Sequence, residues 1–282
     1  MKLLITKRLF GSWNVLGSIE ADLPEPADIC YLDENKLLLG AGKCVYVVDF
    51  DHGISERTTL ETDISSLCFN RSQNVCYVIE DSGKKFKRMD VTTGNITDIM
   101  TSQNIRSATK YFSKIKTNGI ITASKGKHEE FYYCSNIINR CFLFENWEVK
   151  NIIGSGVPGY SVSNNIQFCM LNDPQGIAYW DDSVFICDTG NSCIRKVSKN
   201  AVRIIAGKPN TPGDVDGGSS ISLLKNPTRI KIENGLGYFL DNKKVKYLNV
   251  NSGDVGMVLN SSSVTAIATD ERKNIYTVEI IV

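Results

Sequence analysis

Residues 171–207, LNDPQGIAYWDDSVFICDTGNSCIRKVSKNAVRIIAG, form a unit that the rest of the chain repeats. Four short apolar runs, Gly176–Tyr179, Val184–Cys187, Cys193–Val197 and Val202–Ala206, are separated by the polar stretches Trp180–Asp182, Asp188–Asn191 and Ser198–Asn200. Runs rich in Val, Ile, Phe and Tyr between Asp/Gly/Asn clusters predict short strands joined by tight turns, and four in succession predict an antiparallel meander. Self-similarity on this scale constrains the fold more than composition does, because one such unit cannot bury both of its faces alone.

The same pattern is found on either side. Pro26–Ile29, Leu37–Leu39, the turn Gly40–Gly42 and Cys44–Asp49 open one copy. Ser65–Phe69, Val75–Ile79, the turn Asp81–Gly83, Lys84–Met89 and Ile96–Ile99 form another. A third, over about 105–155, is clear only in its second half, where Phe131–Cys134, Asn139–Phe142 and Asn151–Gly154 match Val184–Cys187, Asn191–Ile194 and Arg203–Gly207; its first strand is expected within Phe112–Thr122. Pro227 and Asp241 stand fourteen positions apart, as Pro174 and Asp188 do. At the C-terminus, Val264–Ala268 and Ile275–Ile281 supply two strands before the chain stops, and Leu3–Leu9 with Trp13–Gly17 supply two more at the start. Joining the ends completes a sixth unit and hides edges that would otherwise pair with other chains.

At the Pro-x-Gly-Ile-Ala opening Pro174–Ala178, the Asp-Thr-Gly-Asn turn Asp188–Asn191, the strand Ile194–Val197 and the close Ile204–Gly207, the unit resembles the NHL repeat, the blade of NHL-type β-propellers. The resemblance implies an all-β, six-bladed β-propeller of four-stranded antiparallel blades, occupying 1–282 as a single domain. The blades fall at about 26–60, 63–101, 105–155, 172–207 and 226–260, with 264–282 and 1–19 sharing the last. A WD-type propeller is the competing architecture, but no Gly-His and Trp-Asp pairing occurs.

Composition narrows the function classes. A formal net charge of +1 gives no global attraction to nucleic acid or anionic lipid, so electrostatic arguments must be local. Nine cysteines without a Cys-x-x-Cys, and only His52 and His128, show no zinc-ligand spacing. The apolar run at the N-terminus is interrupted at Thr6–Arg8, and nothing approaches the roughly 18 apolar residues of a membrane span. A monomeric, cytoplasmic protein without cofactor or metal is expected. No Ser/His/Asp order, phosphate loop or paired-carboxylate motif stands out, so no catalytic residue is assigned.

Three sets of residues are candidates for function. Asp81, Asp188, Asp241 and Glu279 share the position after the second strand, where a carboxylate is expected to accept backbone N–H bonds one or two residues on and fix the hairpin. Positive charge recurs at the third strand: Lys84, Lys85, Lys87 and Arg88; Arg195 and Lys196; Lys243, Lys244 and Lys246. Such residues attract phosphate or acidic peptide, and some NHL-type propellers bind single-stranded RNA on a basic face. The Arg195 stem is alternatively expected to pack between blades, with a loss of ~1 kcal/mol on truncation. The third set lies on two long matching links, Ser155–Leu171 and Lys208–Leu224, which both end in Leu-x-x-Pro and carry Tyr160, Asp214 and Asp216. Loops longer than about 12 residues are uncommon without a functional reason. Cys134 and Cys187 are expected to face Cys141 and Cys193 across their hairpins. A non-enzymatic scaffold holding a protein or peptide on the face with the long links is the first expectation. An RNA-binding propeller is the alternative, and a propeller lyase or lactonase the second alternative.

Overall fold

The computed structural model describes residues 1–80, 85–100, 120–123, 130–145, 148–199 and 201–281. Within them the chain forms six four-stranded antiparallel sheets. The first blade is β3–β6 (Pro26–Asp33, Lys36–Ala41, Cys44–Asp49, Gly53–Thr59). The second is β7–β10 (Ile64–Asn70, Val75–Glu80, Lys85–Asp90, Ile96–Met100), and the third β11–β14 (Ile120–Ala123, Glu130–Ser135, Arg140–Glu145, Glu148–Ile153). The fourth is β15–β18 (Pro174–Trp180, Ser183–Asp188, Cys193–Ser198, Ala201–Gly207), and the fifth β19–β22 (Pro227–Glu233, Leu236–Asp241, Lys244–Asn249, Val255–Leu259). The sixth takes β23 (Val264–Thr269) and β24 (Ile275–Ile280) from the C-terminus with β1 (Lys2–Arg8) and β2 (Val15–Asp22) from the N-terminus, in the order β2-β1-β24-β23. The first strands touch in a closed ring, β3 to β7, β11, β15, β19, β23 and back to β3. This is a six-bladed propeller, closed by both ends of the chain.

Burial explains the sequence pattern. The second strands β8 and β16 are buried at every residue, because each face packs against a neighbouring blade. Such strands read as continuous apolar runs instead of alternating ones. The outermost β2 is exposed or half-buried throughout. The interblade cores differ in chemistry. Between the second and third blades the filling is aromatic, with Phe131 stacked on Phe144 at 4.6 Å and Phe86 edge-on to Tyr133 at 5.3 Å. Between the first and sixth, Leu3 and Ile5 of β1 are fully buried against Ile29, Leu37 and Val278.

Two expectations shift by register. The first strand of the third blade is Ile120–Ala123, at the far edge of the expected window, whose residues 112–119 lie outside the described ones. Cys134 does face Cys141, Sγ to Sγ at 3.2 Å, but Cys187 faces Ile194 and Cys193 faces Asp188. The two hairpins are equally long, with Ser135 opposite Arg140 and Asp188 opposite Cys193, so the partner of Cys187 is seven positions on at Ile194 and Cys193 stands one residue too near.

Candidate functional site

First strands enter each blade from one side of the disc, here the link face, where residues 155–171 and 208–224 lie; they end on the opposite, turn face. The link face is built around a carboxylate at the end of the second strand in four blades, Ala41 and Ser135 standing there in the first and third. Asp188 and Asp241 are opposite Pro174 and Pro227, and in the second blade the residue opposite Ile64 is Glu80. Glu80, rather than Asp81, therefore holds this position, and Asp81 lies outside the described residues.

Among the described residues these carboxylates do not take the expected backbone N–H groups of their own turns, although Asp188 also accepts from Asn191 Nδ2 at 2.7 Å within its hairpin. Asp188 accepts from Asn172 N at 2.7 Å, Asp241 from Lys225 N and Asn226 N at 2.9 and 2.7 Å, and Glu80 from Thr62 N at 3.3 Å. Glu279 accepts from the hydroxyls of Ser261 and Ser263 at 3.0 and 3.3 Å. In each case the donor lies on the segment entering the blade. The carboxylate points sideways into the buried start of the first strand, where backbone N–H groups need partners.

A cation two residues into the third strand completes the arrangement in three blades. Arg195 Nη2 lies 2.5 Å from Asp188 Oδ2, with both side chains wholly buried. Lys87 Nζ is 3.1 Å from Glu80 Oε1 and 3.3 Å from Asp98 Oδ1. Lys246 Nζ is 3.5 Å from Asp241 Oδ2, 2.6 Å from Asp214 and 3.2 Å from Asp216. Burial works against the Lys246 charge, but Asp214, Asp241 and Asp216 outweigh it and hold the ammonium above its usual pKa. The hydrogen bonds from Lys244 and Lys246 hold the Asp214 carboxyl below the usual range. Burial pushes the Asp188 and Asp241 carboxyls upward, against the pull of Arg195 and Lys246.

Both long links hang on these cations. Arg195 donates to the carbonyls of Ser161 and Met170 at 2.7 and 2.8 Å, and its guanidinium lies 4.7 Å from the Tyr160 ring centroid. Lys246 holds the next link through Asp214 and Asp216 instead. The links are otherwise matched: Gly159 N donates to Leu171 O and Gly213 N to Leu224 O, both at 3.1 Å, and Leu171 and Leu224 are fully buried. Each begins at a glycine in the left-handed region, Gly154 at φ +102 and Gly207 at φ +78, where L side chains are strained. Among the side chains the links expose are the apolar Val157, Val162, Phe168 at 68% and Ile221 at 63%, beside polar ones such as Asn164, Gln167, Asp214 and Asp216. Ile137, in the turn between β12 and β13, stands on the same face and is also exposed.

The remaining sequence candidates are dispersed. Lys85 pairs with Glu61 at 2.6 Å and Lys244 with Asp214 at 2.6 Å. Lys196 lies 5.5 Å from the Phe185 ring centroid, Arg88 is half-buried, and Lys243 is exposed with φ +67. Lys84 and His128 lie outside the described residues, and His52 sits in the turn before β6 beside Asp49. Among the described residues, no three His, Cys, Asp or Glu side chains gather as metal ligands. No described helix is long and apolar enough to cross a membrane.

The axis of the disc holds a polar cluster that the sequence reading missed. Asp28 of β3 is buried and accepts from Ser66 Oγ at 2.8 Å, Leu67 N at 3.2 Å and Ile29 N at 3.0 Å. Across the channel, Lys231 Nζ of β19 approaches Asp28 Oδ1 to 3.3 Å, and Arg229 Nη1 lies 4.0 Å from Oδ2. Burial works to lower the Lys231 pKa, but Asp28 together with Cys30 and Cys68 outweighs it and holds the ammonium above its usual value. The available signal was charge in a first strand, Arg229-Ile-Lys231, where a propeller axis must receive it.

Comparison with known proteins agrees with this architecture. Residues 171–197, most of the fourth blade, match the NHL repeat family. An auxiliary nutrient binding protein from Bacteroides thetaiotaomicron superposes with a TM-score of 0.64 at 12% identity, over 99% of this chain and 76% of that one. A chain of a nidogen/laminin complex superposes with a TM-score of 0.60 at 6% identity, over 99% of both. The WD40 propeller of Doa1 gives 0.55 at 10% identity, over 91% of this chain and 77% of that one. At such identities the likeness is one of fold. No protein of curated function matches the sequence.

Proposed function

From an NHL repeat set within a six-bladed propeller, we propose that this chain is a non-enzymatic binding scaffold that holds a protein or peptide partner on its link face. One observation carries the reading: two long links, pinned from beneath by buried cations, present Val157, Val162, Phe168 and Ile221 to solvent. Loops fixed by a rigid scaffold are where binding residues concentrate, and exposed apolar side chains on them mark interaction surfaces. Anchoring lowers the ordering cost at association, because Arg195 already holds one link by its carbonyls and Lys246 the other by its carboxylates. The nidogen/laminin neighbour, a propeller seen within a protein complex, lends support from fold alone. Monomeric state and partner class belong to the same proposal.

The test compares partner capture by the full chain and by Phe168→Asp/Ile221→Asp. Both side chains are exposed, so the melting temperature should hold within a degree or two while capture falls at least tenfold. Equal capture by both proteins would place the partner elsewhere and sink the reading.

A further inference from the structure

A cavity of about 470 Å³ opens at the turn face of the axis, remote from the links. The repeat itself explains why it is there, because strand register aligns the first strands layer by layer. Cys30, Cys68, Ala178, Lys231 and Ala268 each stand opposite the residue three before the position held by Ala41, Glu80, Asp188, Asp241 and Glu279 in their blades. All five line the cavity. Four of them are small, so this layer leaves a hollow, and Lys231 is the one long polar side chain in it. One residue further along, Tyr31, Phe69, Tyr179, Ile232 and Thr269 form the mouth. In a closed ring of six the first and fourth blades are opposite, so Tyr31 and Tyr179 stand on opposite sides of that mouth. A volume of this size is within the range of small-molecule sites, which pair apolar walls with a few placed polar groups.

The walls are held in place before any ligand enters. The Tyr31 ring packs on Tyr276 at 5.6 Å and on the Arg71 guanidinium at 4.9 Å. Tyr179 is stacked on Tyr132 at 5.2 Å and donates its hydroxyl to Asp182 at 2.9 Å. The charges on the wall are matched: Lys231 Nζ lies 3.3 Å from Asp28 Oδ1, Arg71 pairs with Glu271, and Glu233 is engaged as well. Hydrogen-bonding capacity nevertheless remains. An ammonium has three donors, and Asp28 is the one carboxylate paired with Lys231 among the described residues. Each first strand has a sheet neighbour on one side only, so its other edge presents backbone N–H and C=O groups to the axis. Asn70, on the wall and 4% exposed, gives its Oδ1 to Ser72 Oγ at 2.8 Å and leaves Nδ2 without a partner among the described residues. A buried donor of this kind calls for a physical explanation.

We propose that this axial cavity binds a monosaccharide, an uncharged ring with hydroxyls on its rim and C–H groups on its faces. Hydroxyls both donate and accept, which suits a site that offers the Lys231 donors beside strand-edge N–H and C=O groups. Tyr31 and Tyr179 take the C–H faces, whose slight positive charge matches the negative face of an aromatic ring. A charged solute is disfavoured, because it would lose its hydration while the fixed charges on the wall already have partners. A wholly apolar solute would cover the spare donors of Lys231 without answering them. This site is independent of the link face, and either can exist without the other.

The test titrates the full chain with D-glucose, D-galactose, D-mannose and D-ribose, and with benzoate and benzamide for comparison, reading heat of binding and saturation-transfer NMR. At least one sugar should bind saturably, with the transfer strongest on its ring C–H protons. Tyr179→Ala removes one wall, and Lys231→Met removes the donors while keeping the stem; each should weaken that sugar at least tenfold. Lys231→Met also takes from Asp28 its nearest cation, so unfolding is followed for both variants, and Tyr179→Ala decides if Lys231→Met does not fold. Phe168→Asp/Ile221→Asp, altered on the link face, should bind the sugar as wild type does. The proposal is overturned by no saturable binding of any of the four sugars, by wild-type affinity in either folded cavity variant, by loss of binding in the link-face variant, or by benzoate or benzamide binding more tightly than every sugar.

Discussion

Arg195 and Asp188 form an ion pair with no solvent exposure on either side chain, Nη2 to Oδ2 at 2.5 Å, and the same guanidinium holds two carbonyls of the link that precedes its blade. One side chain thus couples the inside of the fourth blade to the surface loop above it.

Truncation here should cost more than the ~1 kcal/mol expected of a packed stem. Arg195→Ala leaves Asp188 buried and unpaired and releases Ser161 and Met170, so a loss of about 3–5 kcal/mol is expected in denaturant unfolding. Arg195→Met with Asp188→Asn removes both charges together and should recover part of that loss. If Arg195→Ala unfolds within 1 kcal/mol of wild type, the pair contributes nothing to holding the blade.

The closing blade gives a second outcome. β1 lies between β2 and β24, with Leu4 opposite Glu279 and Thr6 Oγ1 hydrogen-bonded to Thr277 Oγ1 at 2.7 Å. Deleting residues 1–22 strips the pairing edge of β24 and uncovers the core against which Leu3 and Ile5 pack. Edges of this kind recruit other chains. The truncated protein should elute as aggregate from a sizing column; a monomer with unchanged melting temperature would contradict the closure.

The fold was legible in the sequence because each blade repeats a local pattern, and turn residues such as Asp188–Asn191 act within a few positions. The site was less so. The partners of Asp188 and Asp241 lie 15 or 16 residues earlier, on the segment entering the blade, so a hairpin-local reading assigned the right residues to the wrong donors. The axial cluster joins Asp28 to Lys231, from blades that the sixth blade separates, and only the closed ring brings them together. The Cys187 and Cys193 expectation failed by one residue, because hairpins of equal length pair residues seven apart, as Cys134 and Cys141 are, and Cys193 is only six from Cys187.

Acid should loosen one link selectively. Asp214 is held below the usual aspartate range by Lys244 and Lys246, so the folded state binds fewer protons than the unfolded one as pH falls through about 4. The stabilisation it gives is complete above that value and is lost as pH falls through the lowered folded pKa. Protection factors for Val215 and Leu223, whose backbones pair across the link, should drop between about pH 5 and pH 3. In Asp214→Asn the drop should flatten; an identical profile in the variant would remove Asp214 from the account.

The basic third strands yield the last outcome. Seen as sequence, Lys85, Lys87, Arg195, Lys244 and Lys246 form a recurring positive band suited to a phosphate backbone. In the fold each is matched: Lys85 by Glu61, Lys87 by Glu80 and Asp98, Arg195 by Asp188, Lys244 by Asp214, and Lys246 by Asp214, Asp216 and Asp241. A phosphate approaching Lys246 would meet two surface carboxylates first, and burial keeps Arg195 from any backbone in solution. Counterion release requires exposed cations, at about 0.7 per phosphate in the salt slope for a single strand. Fluorescence anisotropy with a labelled 15-nucleotide RNA should therefore show no saturable binding in the micromolar range at 50 mM salt. The opposite result, tight binding with a slope steeper than about −2 that Lys243→Glu/Lys244→Glu abolishes, would restore the RNA-binding alternative and require these carboxylates to yield to phosphate.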